Sequence, residues 1–165
     1  MNSIEFAIIM ETSVRQEFEN VRREAPAELL PLLNLLLTLQ TEFIMLLEKA
    51  QVANGDTESY PQPNATALIS SEADWQELVS TFAAVSPKQP LVLTTLWMIY
   101  ALSEKSSQFY QQAANNTPYQ TTRLFLSSLA QIKNMLKRRI DGVMRIMHND
   151  VWGVVGFAPF LLGKD

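Results

Sequence analysis

The sequence predicts an all-α fold, a bundle of four long helices arranged as two hairpins joined by a long crossover. Three observations carry this. Apolar residues recur at spacings of three and four through four long segments. Chain breakers fall in two short gaps and one long one. The β-branched residues are scattered among helix formers, so no stretch alternates as a strand does.

The first segment, residues 3–23, places Ile4, Ala7, Ile8, Val14, Phe18 and Val21 on one stripe. Asn2 or Ser3 can cap its start, and Ala25-Pro26 breaks it. The second, 27–52, aligns Leu29, Leu33, Leu36, Phe43, Leu47 and Ala50, and the leucines around that face predict burial on more than one side. Pro31 falls in its first turn, where a missing amide hydrogen costs little. Residues 53–90 read as a crossover: Asn54-Gly55-Asp56 opens it, Pro61, Pro63, Pro87 and Pro90 punctuate it, and one short helix is expected over 71–85. The third long segment, 91–114, aligns Leu93, Leu96, Tyr100, Ser107 and Tyr110. Thr117-Pro118 reads as the cap and first helical residue of the fourth, 119–149, which aligns Leu126, Leu129, Leu136, Ile140, Val143 and Met147. An apolar tail, 150–165, carries Trp152, Phe157, Phe160 and Leu161. The whole of 1–165 reads as one domain. Hairpin, long crossover, hairpin is the topology of ferritin-like bundles. The halves also echo each other, since Phe18 precedes Pro26 by the same eight residues that separate Tyr110 from Pro118.

Composition works mainly by exclusion. The chain has 165 residues, no cysteine and one histidine, His148. Disulfides, iron–sulfur clusters, thiolate zinc sites and thiol nucleophiles are thereby excluded, as is any site needing two imidazoles from this chain. A net charge of −4 argues against nucleic-acid binding, which needs a dominant basic footprint. Only 18% of residues are charged, below the usual ~25%, which predicts a deep core or a buried interface. The most apolar stretch, 29–47, is interrupted by Pro31, Asn34, Thr38, Gln40, Thr41 and Glu42. It reads as a buried helix and not as a membrane span, which needs ~20 predominantly apolar residues. Residues 1–14 carry Glu5 and Glu11 and lack the basic start of a secretory signal, so the cytoplasm is the expected location.

The informative positions are polar residues where the stripes call for apolar ones: Glu11, Gln40, Ser103 and Lys133, each near the middle of its helix. A buried carboxylate is costly unless it is paired or bound to metal, so Glu11 calls for a partner. At these positions the chain resembles the rubrerythrin-like branch of the ferritin-like superfamily. Ile8-Ile9-Met10-Glu11, with Phe18 seven residues on, is similar to the first-helix motif whose glutamate ligates iron. The segment from Phe43 to Lys49 resembles the one that starts at the ligand histidine of the second helix. Ser103 through Phe109-Tyr110-Gln111-Gln112-Ala113 resembles the third helix, and Leu129-Ala130 onward the fourth.

In that family the di-metal site takes a glutamate from each of two helices and a Glu-x-x-His pair from each of the others. The resemblance carries the six ligand positions onto Glu11, Gln40, Phe43, Ser103, Lys133 and Leu136, of which only Glu11 is a good ligand. A one-residue slip would substitute Glu104 for Ser103, but no slip recovers the histidines. The expectation is therefore a ferritin-like bundle that has lost its di-iron centre, with no cofactor and no catalytic residue. Lys133 is expected to neutralise Glu11 while Gln40 and Ser103 hydrogen-bond to the pair. The competing expectation is that Lys133 snorkels to solvent and Glu11 contacts water.

Other features have plainer readings. His148 is placed at the end of the fourth helix, where the helix dipole favours a cation; no nucleophile motif supports pairing it with Asp150 for catalysis. Lys137-Arg138-Arg139, with Arg145, reads as a solvated face. Gly142 is expected to permit a bend or close packing. Met10, Met135, Met144 and Met147 read as core fillers. The apolar tail must fold back or dock on a second subunit, so a homodimer is expected, with no nucleic-acid or membrane partner and the identity of any protein partner open. The function expected is a non-catalytic structural or protein-interaction module. Two alternatives stand beside it: a rubrerythrin-like metal-binding oxidoreductase or iron-binding protein with non-standard ligands, and a small-molecule carrier using the bundle interior.

Overall fold

The computed structural model describes residues 1–53, 60, 61, 63, 75–78, 80 and 90–155, with side chains for all of these except 90 and 146–155. The described elements are all helical. They are α1 (Ser3–Glu24), a single 3-10 turn (Ala27–Leu29), α2 (Leu30–Val52), α3 (Pro90–Asn116) and α4 (Gln120–Val155). Most of the crossover lies outside the described residues, as does the expected helix at 71–85 apart from helical residues 75–78 and 80. Residues 156–165 of the apolar tail lie outside them too.

Local chemistry explains the ends. Asn2, and not Ser3, caps α1. Its Oδ1 accepts from the Glu5 amide at 2.9 Å while Glu5 Oε2 accepts from the Asn2 amide at 2.9 Å, a reciprocal capping box. Ala25 is extended, as the residue before a proline prefers. The turn that follows closes when the Leu29 amide donates to the Pro26 carbonyl at 3.0 Å, and Pro31 sits in the first turn of α2. The start of α4 differs from expectation. The Thr117 hydroxyl accepts from the Tyr119 amide at 3.5 Å, a local turn that keeps Pro118 outside the helix. The first helical hydrogen bond then runs from Arg123 to the Tyr119 carbonyl at 2.9 Å. The far end of α4 is longer than expected and continues through residues 150–155. His148 therefore lies two turns inside the helix, which removes the terminal-dipole reading.

Helices α1 and α2 pack as one hairpin, α3 and α4 as another, and α1 touches α3. Phe6 at the start of α1 meets Phe109 near the end of α3, with ring centroids 5.1 Å apart, so these two helices run antiparallel. Tyr60 stacks on Phe125 near the start of α4 at 5.2 Å, and Trp75 lies under the Arg139 guanidinium at 5.5 Å. Those contacts are fourteen residues apart along α4, about 21 Å at a 1.5 Å rise. The described crossover residues thus meet α4 at two points about 21 Å apart.

The first, second and fourth stripes are buried largely as expected, with Ile8 and Val21 only half-buried. On α3 the expected stripe is buried at Leu96, Ser107 and Tyr110 but not at Leu93 and Tyr100. Val92, Leu96, Ile99, Ser103, Tyr110 and Ala114 are buried, whereas Leu93 and Tyr100 are half-exposed. Tyr100 instead sits at the rim, edge-on to Trp97 at 5.7 Å and under the Lys137 ammonium at 5.9 Å. Ser103, Ser106 and Ser107 are all buried. Their small side chains let α3 approach α4, where the Ser107 hydroxyl donates to the Ala130 carbonyl at 3.2 Å.

Residues 27–52 are long and apolar enough to cross a membrane, with mean hydropathy 1.7 over the best window, half of it buried. The outward positions of α2 are mostly polar, among them Asn34, Thr38, Thr41, Glu42, Glu48 and Lys49. A helix whose apolar residues face the core and whose polar ones face out behaves as a core helix. Gly142 needs no close approach, because a Cβ there would meet nothing within 4 Å. Met10 is half-buried and Met135 37% exposed, so of the four methionines read as core fillers only Met144 is shown buried. The side chain of Met147 lies outside the described residues.

Candidate functional site

Each of the four helices sends one polar group to a common point in the core. Glu11 on α1 is fully buried, and Gln40 on α2 and Lys133 on α4 are nearly so. Lys133 Nζ lies 2.9 Å from Glu11 Oε2, so Lys133 does not snorkel to solvent. It also donates to Gln40 Oε1 at 3.2 Å. Gln40 Nε2 donates to Glu11 Oε2 and, at 2.8 Å, to the Glu11 backbone carbonyl. The remaining carboxylate oxygen, Oε1, accepts from the Tyr110 hydroxyl of α3 at 2.8 Å.

These contacts leave no hydrogen unused. The Lys133 ammonium has three donors: two go to Glu11 and Gln40, and the ammonium lies 4.2 Å from the centre of the Phe43 ring, a cation–π contact. Gln40 uses both amide hydrogens and its oxygen. Its orientation is fixed electrostatically, since a flipped amide would set oxygen against carboxylate and NH2 against ammonium. Desolvation of two charges can cancel their attraction, so the pair need not add net stability. The completeness of its hydrogen bonding is what makes it tolerable in an apolar core. Burial pushes the Tyr110 phenol well above the usual tyrosine range, and the adjacent Glu11 carboxylate pushes it the same way.

Of the six sequence-derived positions, the structure joins Glu11, Gln40 and Lys133 by hydrogen bonds and Phe43 by its ring face. Ser103 is buried too but does not bond to the pair. Its hydroxyl donates back to the Ile99 carbonyl of its own helix at 2.8 Å, the local bond open to any helical serine. Leu136 joins Phe18, Leu36, Leu39, Gln40, Phe43, Ile132 and Lys133 in lining a cleft of about 20 Å3. That volume holds about one water, which removes this cleft as a pocket for an organic cargo.

Tyr110 takes the place expected of Ser103, and the sequence held two signals for it. It lies seven residues after Ser103 on the same face, and a core tyrosine needs a partner for its hydroxyl. Helical side chains lean toward their own N-terminus, so Tyr110 reaches back to the level of the pair.

The donor set does not suit a di-iron centre. It supplies one carboxylate, one amide and one phenol, and a lysine cation contacts the carboxylate where a metal would have to bind. Among the described residues, no three His, Cys, Asp or Glu side chains gather to hold a metal ion. The side chains of His148 and Asp150 lie outside the described residues. The basic run on α4 has local company: Lys137 over Tyr100, Arg139 over Trp75, and Arg145 bonded to Asp141 at 2.9 Å.

No protein-family model, curated protein or solved structure matches this chain. The family resemblance therefore stands on the residues of the four helices alone.

Proposed function

We propose that the chain is a ferritin-like four-helix bundle of rubrerythrin-like type in which a protein ion pair stands in for the di-iron centre. In this reading it serves as a non-catalytic structural or protein-interaction module, homodimeric and cytoplasmic. The observation that carries it is the Lys133–Glu11 contact of 2.9 Å in a fully hydrogen-bonded, buried setting. The positive charge that a ferritin-like site receives from metal comes here from the chain itself. The contacts of Tyr60 and Trp75 at separate points along α4 and the antiparallel α1–α3 contact support that topology.

Phe6 and Ile9 on α1, Trp97 on α3 and Leu124 on α4 are exposed, apolar surface of the kind a homodimer would cover. The deciding experiment is elemental analysis of purified protein before and after anaerobic ferrous loading. Less than a tenth of an iron per chain is expected. Two irons per chain would refute the reading and favour an iron-binding oxidoreductase with non-standard ligands. Light scattering after size exclusion should give twice the chain mass, and a clean monomer at micromolar concentration would remove the dimer.

A further inference from the structure

Eight of the 22 residues of α1 are charged, yet none stands on the helix's outward line. At spacings of three and four that line runs Phe6, Ile9, Ser13, Gln16 and Asn20, all exposed and all neutral. Phe6 and Ile9 are 46% and 54% exposed. The neighbouring side of α3 is marked by Phe109, whose ring meets Phe6. At whole turns back from Phe109 lie Leu102 and Met98, half-buried, and Leu91, exposed. The described crossover residues sit elsewhere. Tyr60 and Trp75 meet Phe125 and Arg139 of α4, on one stripe with Ile132, which lines the cleft shared with Leu36 and Leu39 of α2. That is the α2–α4 side, opposite the α1–α3 face. Residues 156–165 do not reach the Phe6 end of this face either. Helix α1 is antiparallel to α3 and so parallel to α4; from the level where Glu11 meets Lys133, Val155 lies about 33 Å one way and Phe6 about 7 Å the other. Ten extended residues span at most about 33–36 Å, short of the combined distance.

We infer that the α1–α3 face is the surface on which two copies of this chain pair, with Phe6 and Ile9 as its apolar anchors. The inference rests on the homodimeric part of the proposed function and names its surface. A two-fold contact sets a patch against itself, so a charged outward line would face its own like charges, and the neutral line of α1 does not. A partner of strong opposite charge would find nothing on that line to pair with. Two exposed charges border the seam, Glu17 on α1 and Lys105 on α3. They differ in sign, so a second copy that sets its α3 against α1 meets each with its opposite. The size also fits. Helix α1 is about 33 Å long, and two helices side by side are about 20 Å wide, which gives about 650 Å2 per copy. The total, about 1,300 Å2, falls within the range of stable protein interfaces. The exposed Leu124 of α4 is a poorer centre. Its outward line continues through Arg138 and Arg145, both exposed, and a two-fold contact there would gather like charges.

The test is light scattering after size exclusion of the full chain and its variants at micromolar concentration, with far-UV circular dichroism of each. The parent is expected at twice the chain mass, Ile9→Glu at the chain mass with the parent's helical signal, and Leu124→Glu still at twice. Glu17→Lys and Lys105→Glu should each raise the dissociation constant of the dimer, and combining them should lower it again. An Ile9→Glu chain that stays dimeric, or a Leu124→Glu chain that dissociates, would overturn this surface while leaving the dimer in place. A combined charge variant looser than both singles would overturn the pairing of α1 with α3 of the second copy. A monomeric parent would remove the dimer of the proposed function and this surface with it. If Ile9→Glu loses its helical signal, hydrogen exchange of the unmodified chain above and below its dissociation constant decides: added protection on α1 and α3 is expected, and protection confined to α2 or α4 would overturn the inference.

Discussion

Replacing Lys133 by methionine removes the cation while keeping an unbranched side chain of similar length against Phe43. Glu11 then keeps its hydrogen bonds from Gln40 and Tyr110 but loses the charge 2.9 Å from Oε2. It is fully buried, so solvent cannot take over. Removing one partner of a buried ion pair costs about 3–5 kcal/mol. For a domain of this size each kcal/mol lowers Tm by about 2–4 °C, so a fall of roughly 6–20 °C is expected. Differential scanning calorimetry at pH 7 reads the shift directly, and urea unfolding gives the same loss as a free energy. A Tm within 1–2 °C of the parent, corresponding to under ~1 kcal/mol, would mean that Glu11 is not held by Lys133, and the reasoning would be refuted.

Three other changes separate the parts of the network. Tyr110→Phe leaves Glu11 Oε1 without its donor and should cost about 1–3 kcal/mol in urea unfolding at pH 7. Because the folded protein holds the Tyr110 proton above the usual tyrosine range, its contribution is complete below the unfolded value near 10 and is lost as pH climbs toward the folded value. Urea midpoints between pH 9 and 11 should therefore fall less steeply in Tyr110→Phe than in the parent; parallel slopes would contradict this. Ser103→Ala should cost less than about 1 kcal/mol, because its hydroxyl serves only its own helix. A loss as large as that of Lys133→Met would restore Ser103 to the network. Gly142→Ala, on an open face of α4, should raise stability by about 0.5–1 kcal/mol, and a fall in Tm would show a constraint that the open space does not reveal.

The helices were legible because each has a continuous apolar stripe and clear punctuation, as at Asn2, Pro26 and Pro31. The buried polar set was legible for the same reason: Glu11, Gln40, Ser103 and Lys133 interrupt those stripes, and a stripe dictates burial whatever residue occupies it. What the stripe does not encode is the direction of each polar side chain. Ser103 is short and has a carbonyl of its own helix within reach, so it turns inward on its backbone. Tyr110 is long enough to cross the core, and it reaches Glu11 from farther along the same helix. The half-exposure of Tyr100 on α3 has a related origin. Tyr100 is amphipathic, so a rim position that serves both its ring and its hydroxyl competes with full burial. The start of α4 was misread because Thr117 can cap a helix or close a turn with equal chemistry, and the choice depends on how the hairpin closes. The length of α4 past residue 149 left no local mark, since residues 150–155 read equally well as tail and as helix.

The coupling between Glu11 and Lys133 is open to direct measurement by a double-mutant cycle of Glu11→Gln, Lys133→Met and the two combined, followed by urea unfolding at pH 7. Each single change strands a buried partner, whereas the double removes both charges together. The double variant is therefore expected to be less destabilised than the sum of the singles by about 1–3 kcal/mol. Additive effects, agreeing within about 0.5 kcal/mol, would contradict a core in which the lysine of α4 neutralises the glutamate of α1.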